Sequence, residues 1–131
     1  EQILTYYMFN EPALNGFSKA ISKEHQTREY QIIDKIEVSS FPLYQILNKH
    51  LPLDQKIDFL SVDVEGLDLK VLESNDWDKH RPSVILVEII NSSLNSLINE
   101  SIYKFLVGKG YSLFAKLFHT CIFKIEARLS D

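Results

Sequence analysis

This chain predicts an α/β fold: the second half of a doubly wound sheet, with parallel strands and an antiparallel C-terminal edge. Three observations predict it. Apolar runs of strand length alternate with helically spaced segments from residue 57 onward, in the order β-α-β-α-β-β. The first two runs, Phe59-Leu60-Ser61-Val62-Asp63-Val64 and Val84-Ile85-Leu86-Val87, are nearly continuous, as in strands buried on both faces of a parallel sheet. Both runs also end in acids, Asp63 and Glu65 after the first and Glu88 after the second.

Ile3 to Phe9 is rich in β-branched and aromatic residues and reads as a strand that Asn10-Glu11-Pro12 ends. Ala13 to Lys23 carries Leu14, Phe17 and Ile21 at a spacing that predicts a helix, weakened by Gly16. Tyr30, Ile32, Ile36 and Val38 alternate with polar positions and predict a half-exposed strand. Ser39-Ser40 would cap the next helix, with Pro42 in its first turn and Leu43, Ile46, Leu47 and Leu51 as its buried stripe. The buried strand over 57–64 leads to a helix through Leu67, Val71 and Leu72 and a turn at Asn75-Asp76-Trp77-Asp78, where Trp77 anchors turn to helix. Leu94, Leu97, Ile98, Ile102, Phe105 and Leu106 define one amphipathic helix that Gly108 and Gly110 end. Tyr111 to Phe118 and Thr120 to Ile125 close the chain as an antiparallel pair turning around Lys116–His119.

The 131 residues suffice for one domain with a real core. A net charge of −4 without a basic stretch interleaved with aromatics argues against a nucleic-acid partner. No apolar stretch has the length of a transmembrane helix, and no signal peptide is visible. Cys121 is the single cysteine, lies in an apolar strand and reads as core; its solitude fits a reducing cytoplasm. The chain opens Glu1-Gln2-Ile3-Leu4 with its one methionine at Met8, which suggests part of a longer protein.

Chemistry concentrates at the strand ends. Adjacent parallel strands lie about 5 Å apart. On that geometry Asp63, Glu65 and Glu88 share one rim of the sheet, where α/β proteins bind their ligands. Such acids can orient a hydroxyl, act as general base or hold a hard cation. The plainer alternative is that Asp63 and Glu65 merely cap the following helix. His25, His50, His80 and His119 are scattered and read as surface or structural residues. None of the four glycines forms a dinucleotide or nucleoside-triphosphate loop, and no Ser-His-Asp or Cys-His nucleophile signature appears.

The block Ile57 to Leu72, with Asp63-Val64-Glu65-Gly66, then Asn75-Asp76-Trp77, Arg81-Pro82 and the strand ending in Glu88, resembles the FkbM family of S-adenosylmethionine-dependent methyltransferases. Gly110-Tyr111 fits the same pattern. The resemblance spans about residues 29–126, with 1–28 fitting more loosely. It implies a single partial domain, residues 1–56 being an insertion or connecting segment and 57–131 the second half of a Rossmann-like core. By similarity Asp63, Glu65 and Glu88 are catalytic candidates, and Asp63 and Gly66 would touch the cofactor. Many members carry lysine where this chain has Ser61, so any role of that side chain is lost or differs here. The family's glycine-rich cofactor turn is absent as well.

Three readings follow. The chain is the C-terminal part of an O-methyltransferase acting on a small-molecule or glycan hydroxyl, inactive without its cofactor-binding half. Or it is a non-catalytic assembly unit, whose apolar strand at 57–64 lacks a neighbour and drives a homodimer or pairs with residues 3–9. Or it is a hydrolase that binds Mg²⁺ through Asp63 and Glu65.

Overall fold

The computed structural model describes residues 1–90 and 93–125. Strand β1 (Gln2–Phe9) pairs antiparallel with β2 (Ile32–Ser40), from Gln2 opposite Ser40 to Phe9 opposite Ile32, with a bulge between Met8 and Phe9. The second sheet has four strands in the order β3 (Phe59–Val62), β4 (Val84–Glu88), β6 (Thr120–Ile125), β5 (Tyr111–Leu117). The β3–β4 pair is parallel; β6 lies antiparallel between β4 and β5. The chain is therefore a mixed α/β protein with one parallel pair, and its antiparallel strand is interior rather than at the edge. Register explains the insertion: Cys121 and Phe123, both fully buried, fall opposite Val87 and Ile85 and complete one apolar face.

That face carries the core. Val62, Ile85, Val87, Cys121 and Phe123 pack with Leu72, Leu97 and Leu106 from the helices α3 (Asp68–Glu73), α4 (Leu94–Leu97) and α5 (Ser101–Gly108). Each such aliphatic or aromatic side chain contributes about 1.5–3 kcal/mol on full burial. Trp77 anchors the turn after α3: its Nε1–H donates to the Leu72 carbonyl at 2.9 Å, and its ring meets Phe105 and Tyr111 edge-on. Arg81 donates to the Lys109 carbonyl at 2.8 Å and the buried Tyr111 hydroxyl to the Pro82 carbonyl at 2.7 Å, which ties the Arg-Pro and Gly-Tyr dipeptides together.

Several expectations are corrected. Strand β3 is not buried on both faces: Phe59 is 65% exposed and Ser61 exposed, whereas Val62 is buried. The buried apolar side chains of α3, α4 and α5 all join the one core, and among the described residues β3 pairs with β4 alone. Residues 3–9 do not supply a second neighbour: they pair with β2 in a separate two-stranded sheet. The helix expected over 13–23 is a 3-10 turn at Pro12–Leu14 followed by α1 (Lys19–His25). Gly16 interrupts it by exchanging backbone hydrogen bonds with Tyr7 at 2.8 and 3.2 Å, and Ser18 caps α1 instead.

Ser39 and Ser40 remain in β2 and cap nothing. The cap of α2 (Leu43–His50) comes from Ser74, whose Oγ accepts from the Leu43 N–H at 2.9 Å. The stripe of α2 is only half-buried, and Ile46 is exposed. The helix expected from Leu94 to Leu106 is split into α4 and α5, with a reciprocal Ser93–Ser96 box opening α4. Gly110, at φ +83°, supplies the left-handed residue that ends α5. No helix among the described residues is long and apolar enough to cross a membrane. Residues 126–131, the last of the expected core segment, lie outside the described residues.

Candidate active site

Val62 pairs with Val87, so the residues that follow them, Asp63 and Glu88, leave the carboxyl ends of β3 and β4 side by side. The chain then turns sharply: Glu65 has φ +50° and Gly66 φ +87°, two consecutive left-handed residues. A glycine adopts this conformation without penalty; a glutamate does not. The turn is held by Asp68, which is 6% exposed and accepts from the Val64 N–H at 3.3 Å and the Gly66 N–H at 3.2 Å. Asp68, the acid in the first turn of α3, thus braces the turn that precedes the helix; α3 has Leu67 at its N-cap position and no side-chain cap, so neither Asp63 nor Glu65 caps it. Asp63 stays exposed, and Glu65 and Glu88 are half-buried.

The shared rim shows in electrostatics as well as register. Burial first, then the charges of Asp63, Glu88 and Asp68, hold the Glu65 carboxyl above its ordinary value, and His25 opposes them. His25 reaches Glu65 from α1, on the N-terminal segment. The same segment covers the turn: a Cβ on Gly66 would stand 2.8 Å from Ile21 Cδ1, and one on Gly16 would stand 3.3 Å from the Glu65 Cβ. Sequence reasoning scored His25 as structural and missed Ile21 and Gly16 as neighbours of the turn; no local pattern links these segments. Asp68 carried a weak signal, an acid near the start of a short helix.

The other histidines lie elsewhere. His50 is exposed, His80 is buried with Nε2 3.0 Å from Asn48 Oδ1, and His119 stacks near Phe118. Cys121 is buried, and burial pushes its thiol above the ordinary value, in keeping with a core residue.

A cavity of about 220 Å³ opens at the rim, lined by Gly66, Asp68, Glu88, Ile89, Glu100 and Ile102 among others. A larger cleft of about 560 Å³ lies between the start of β1, the end of β2 and α3, lined by Leu4, Phe41 and Lys70 among others. It holds none of the three rim acids, so the smaller cavity is the one that belongs to the site. Among the described residues no group of three or more His, Cys, Asp or Glu side chains is arranged to hold a metal ion. The Mg²⁺ expectation at Asp63 and Glu65 finds no support there.

An α/β chain with acids gathered at the carboxyl ends of its parallel pair has the layout of a ligand-binding α/β enzyme domain. A model of the methyltransferase FkbM domain matches residues 2–113, and the chain belongs to that family. The match takes in β1 and α1 as well as the central block, and ends within β5. No curated protein and no solved structure matches the chain.

The family implies S-adenosylmethionine as methyl donor, and the residues present do not fit the whole of that molecule. The rim cavity falls below the roughly 300–1,000 Å³ usual for such ligands. On the side where Gly66 lacks a side chain, Ile21 Cδ1 already stands within contact distance, so only the face toward the rim cavity is open.

Proposed function

We propose that this chain forms the acceptor side of an S-adenosylmethionine-dependent methyltransferase that acts on a hydroxyl of a sugar or natural-product-like molecule. The carrying observation is the Val62–Val87 pairing, after which Asp63 and Glu88 follow on neighbouring strands with Glu65 beside them. Glu65 is the group we assign to take up the proton of the acceptor hydroxyl. Its raised pKa brings a carboxylate closer to the range where a general base works best. Its left-handed backbone supports the same assignment, because strain of this kind collects at functional sites. Asp63 and Glu88 would orient the acceptor from either side.

The strands that hold the cofactor would pair along the free edge of β3, and the chain alone would then be inactive. That edge is also the switch point at which doubly wound sheets bind their ligands. A second copy docking there is the competing occupant, favoured by the exposed Phe59. A cytoplasmic location accords with the lone buried thiol of Cys121.

Calorimetry tests the reading. S-adenosylmethionine titrated into this chain alone should give no binding heat. In an enzyme containing the chain, Glu65→Gln should slow turnover by about 10²–10⁴-fold without loss of stability. Tight cofactor binding by the chain alone refutes the missing-half claim; normal turnover in the variant refutes the role of Glu65.

A further inference from the structure

The β1–β2 ribbon is a sheet of its own, and among the described residues β2 pairs with β1 alone. Residues 33–37 of β2 are all exposed, Ile33 to 65% and Ile36 to 44%. The register shows which backbone groups the free edge presents. Tyr7 exchanges hydrogen bonds with Gly16, so its own N–H and C=O point away from β2. Lys35, opposite Tyr7, therefore belongs to a non-hydrogen-bonded pair and turns its N–H and C=O outward. The Asp34 carboxylate takes up that outward N–H at 2.7 Å. By the two-residue period of a strand, Glu37 and Ser39 turn the same way.

An open edge invites a further strand, and charged side chains commonly guard it. Here the charges are of both signs, which decides what can pair. When a strand meets its own copy antiparallel, facing residues must both turn their backbone groups inward or both outward. The two-fold axis then passes through a residue. An axis at Asp34, Lys35 or Glu37 sets that charge against its own copy. An axis at Ile36 puts Lys35 opposite the partner's Glu37 and Glu37 opposite the partner's Lys35, with Ile36 against the partner's Ile36. Of the registers permitted, this one alone sets opposite charges face to face.

We propose that the free edge of β2 is the interface for a second copy of this chain, joined antiparallel about a two-fold axis at Ile36 into a continuous four-stranded sheet. The Lys35 N–H exchanges the Asp34 carboxylate for the carbonyl of the partner's Glu37. Opposite-charge and apolar cross-strand pairs each stabilise such a ladder, and the added strands reinforce a ribbon of a kind that is marginal with two. The contact is isologous and closes at two copies. It uses an edge distinct from that of β3, which lies in the other sheet.

Analytical ultracentrifugation of the chain tests the interface. Wild type should pass from monomer to dimer as concentration rises. Lys35→Glu and Glu37→Lys each turn both charge pairs into like pairs and should weaken the dimer by about tenfold or more. An equimolar mixture of the two variants should dimerise again, because each supplies the charge the other lacks; so should a chain carrying both changes. In a non-hydrogen-bonded pair the facing Cα atoms stand about 4.5 Å apart, within reach of a disulfide. Ile36→Cys should therefore cross-link under mild oxidation and Lys35→Cys should not; the buried Cys121 does not compete. A wild-type chain that stays monomeric, or a dimer indifferent to the single charge changes, overturns the proposal. A mixture that fails to re-form the dimer does the same. Should a charge variant not fold, the Ile36→Cys cross-link decides, and its absence refutes the axis.

Discussion

Gly16 lies against Glu65: a side chain at Gly16 would begin 3.3 Å from the Glu65 Cβ. An N-terminal residue and a rim acid are thereby held at contact distance, and the site is a joint product of two segments. The backbone exchange between Gly16 and Tyr7, with the Tyr6–Phe17 and Phe9–His25 ring contacts on either side of it, ties the segment leading into α1 to β1.

Gly66→Ala should destabilise the chain by about 1–2 kcal/mol, since an L residue at φ +87° is strained whatever the space. The added methyl also collides with Ile21. Combined with Ile21→Ala, the loss should therefore be smaller than the sum of the single losses, as measured in a double-mutant cycle by chemical denaturation. Strict additivity would mean that Ile21 does not fill the notch.

Glu65→Gln should stabilise the fold at neutral pH and do so less in acid. The folded-state pKa of Glu65 is raised, so the unfolded chain releases this proton first as pH rises. Stability is then lost from the unfolded value, about 4.3, up through the folded value. The amide variant escapes that loss. Thermal unfolding at pH 7 should show a higher midpoint for the variant, and the gap should close near pH 4; a constant gap would count against the shift.

Ser74→Ala should cost about 0.5–2 kcal/mol through the first turn of α2. Its hydroxyl accepts from Leu43 and donates to the Val71 carbonyl at 2.7 Å, so two helices lose a link at once. Hydrogen exchange should speed up at the first amides of α2 while β4 and β6 stay protected. Uniform loss of protection would point to global rather than local opening.

Arg81→Met should lower stability by about 1–2 kcal/mol by leaving the Lys109 carbonyl without its partner. The titration of Glu65 should not change. A shifted Glu65 midpoint in this variant would show that the Arg-Pro segment acts on the site, which its contacts with Trp77 and Lys109 give no reason to expect.

Much of the site was legible in the sequence. The apolar strands, the acids that close them and the glycine after Glu65 are local features, and the parallel pairing of β3 with β4 brings Asp63 and Glu88 together as the run lengths imply. Trp77 as anchor of its turn was also legible, because a large aromatic among Asn and Asp has few other uses. The plainer alternative, that Asp63 and Glu65 cap the next helix, is not met: α3 has no side-chain cap, and Asp68 holds the turn before it. The reason is geometric: an acid two residues past a left-handed pair is better aimed at the turn's own N–H groups than acids that precede the pair or belong to it.

Local periodicity by itself determined the strands and the acids that close them, and the motif around Asp63-Val64-Glu65-Gly66 carried the family resemblance, because each depends on residues near one another in the chain. The tertiary structure alone decided that β6 enters between β4 and β5, that β3 pairs with β4 alone among the described residues and exposes Phe59, that Ser74 accepts from the first N–H of α2, and that the charge of His25 acts on Glu65. These outcomes depend on which distant surfaces bury the most apolar area and pair the most backbone groups. That competition is settled among segments, and no single stretch of sequence records its result.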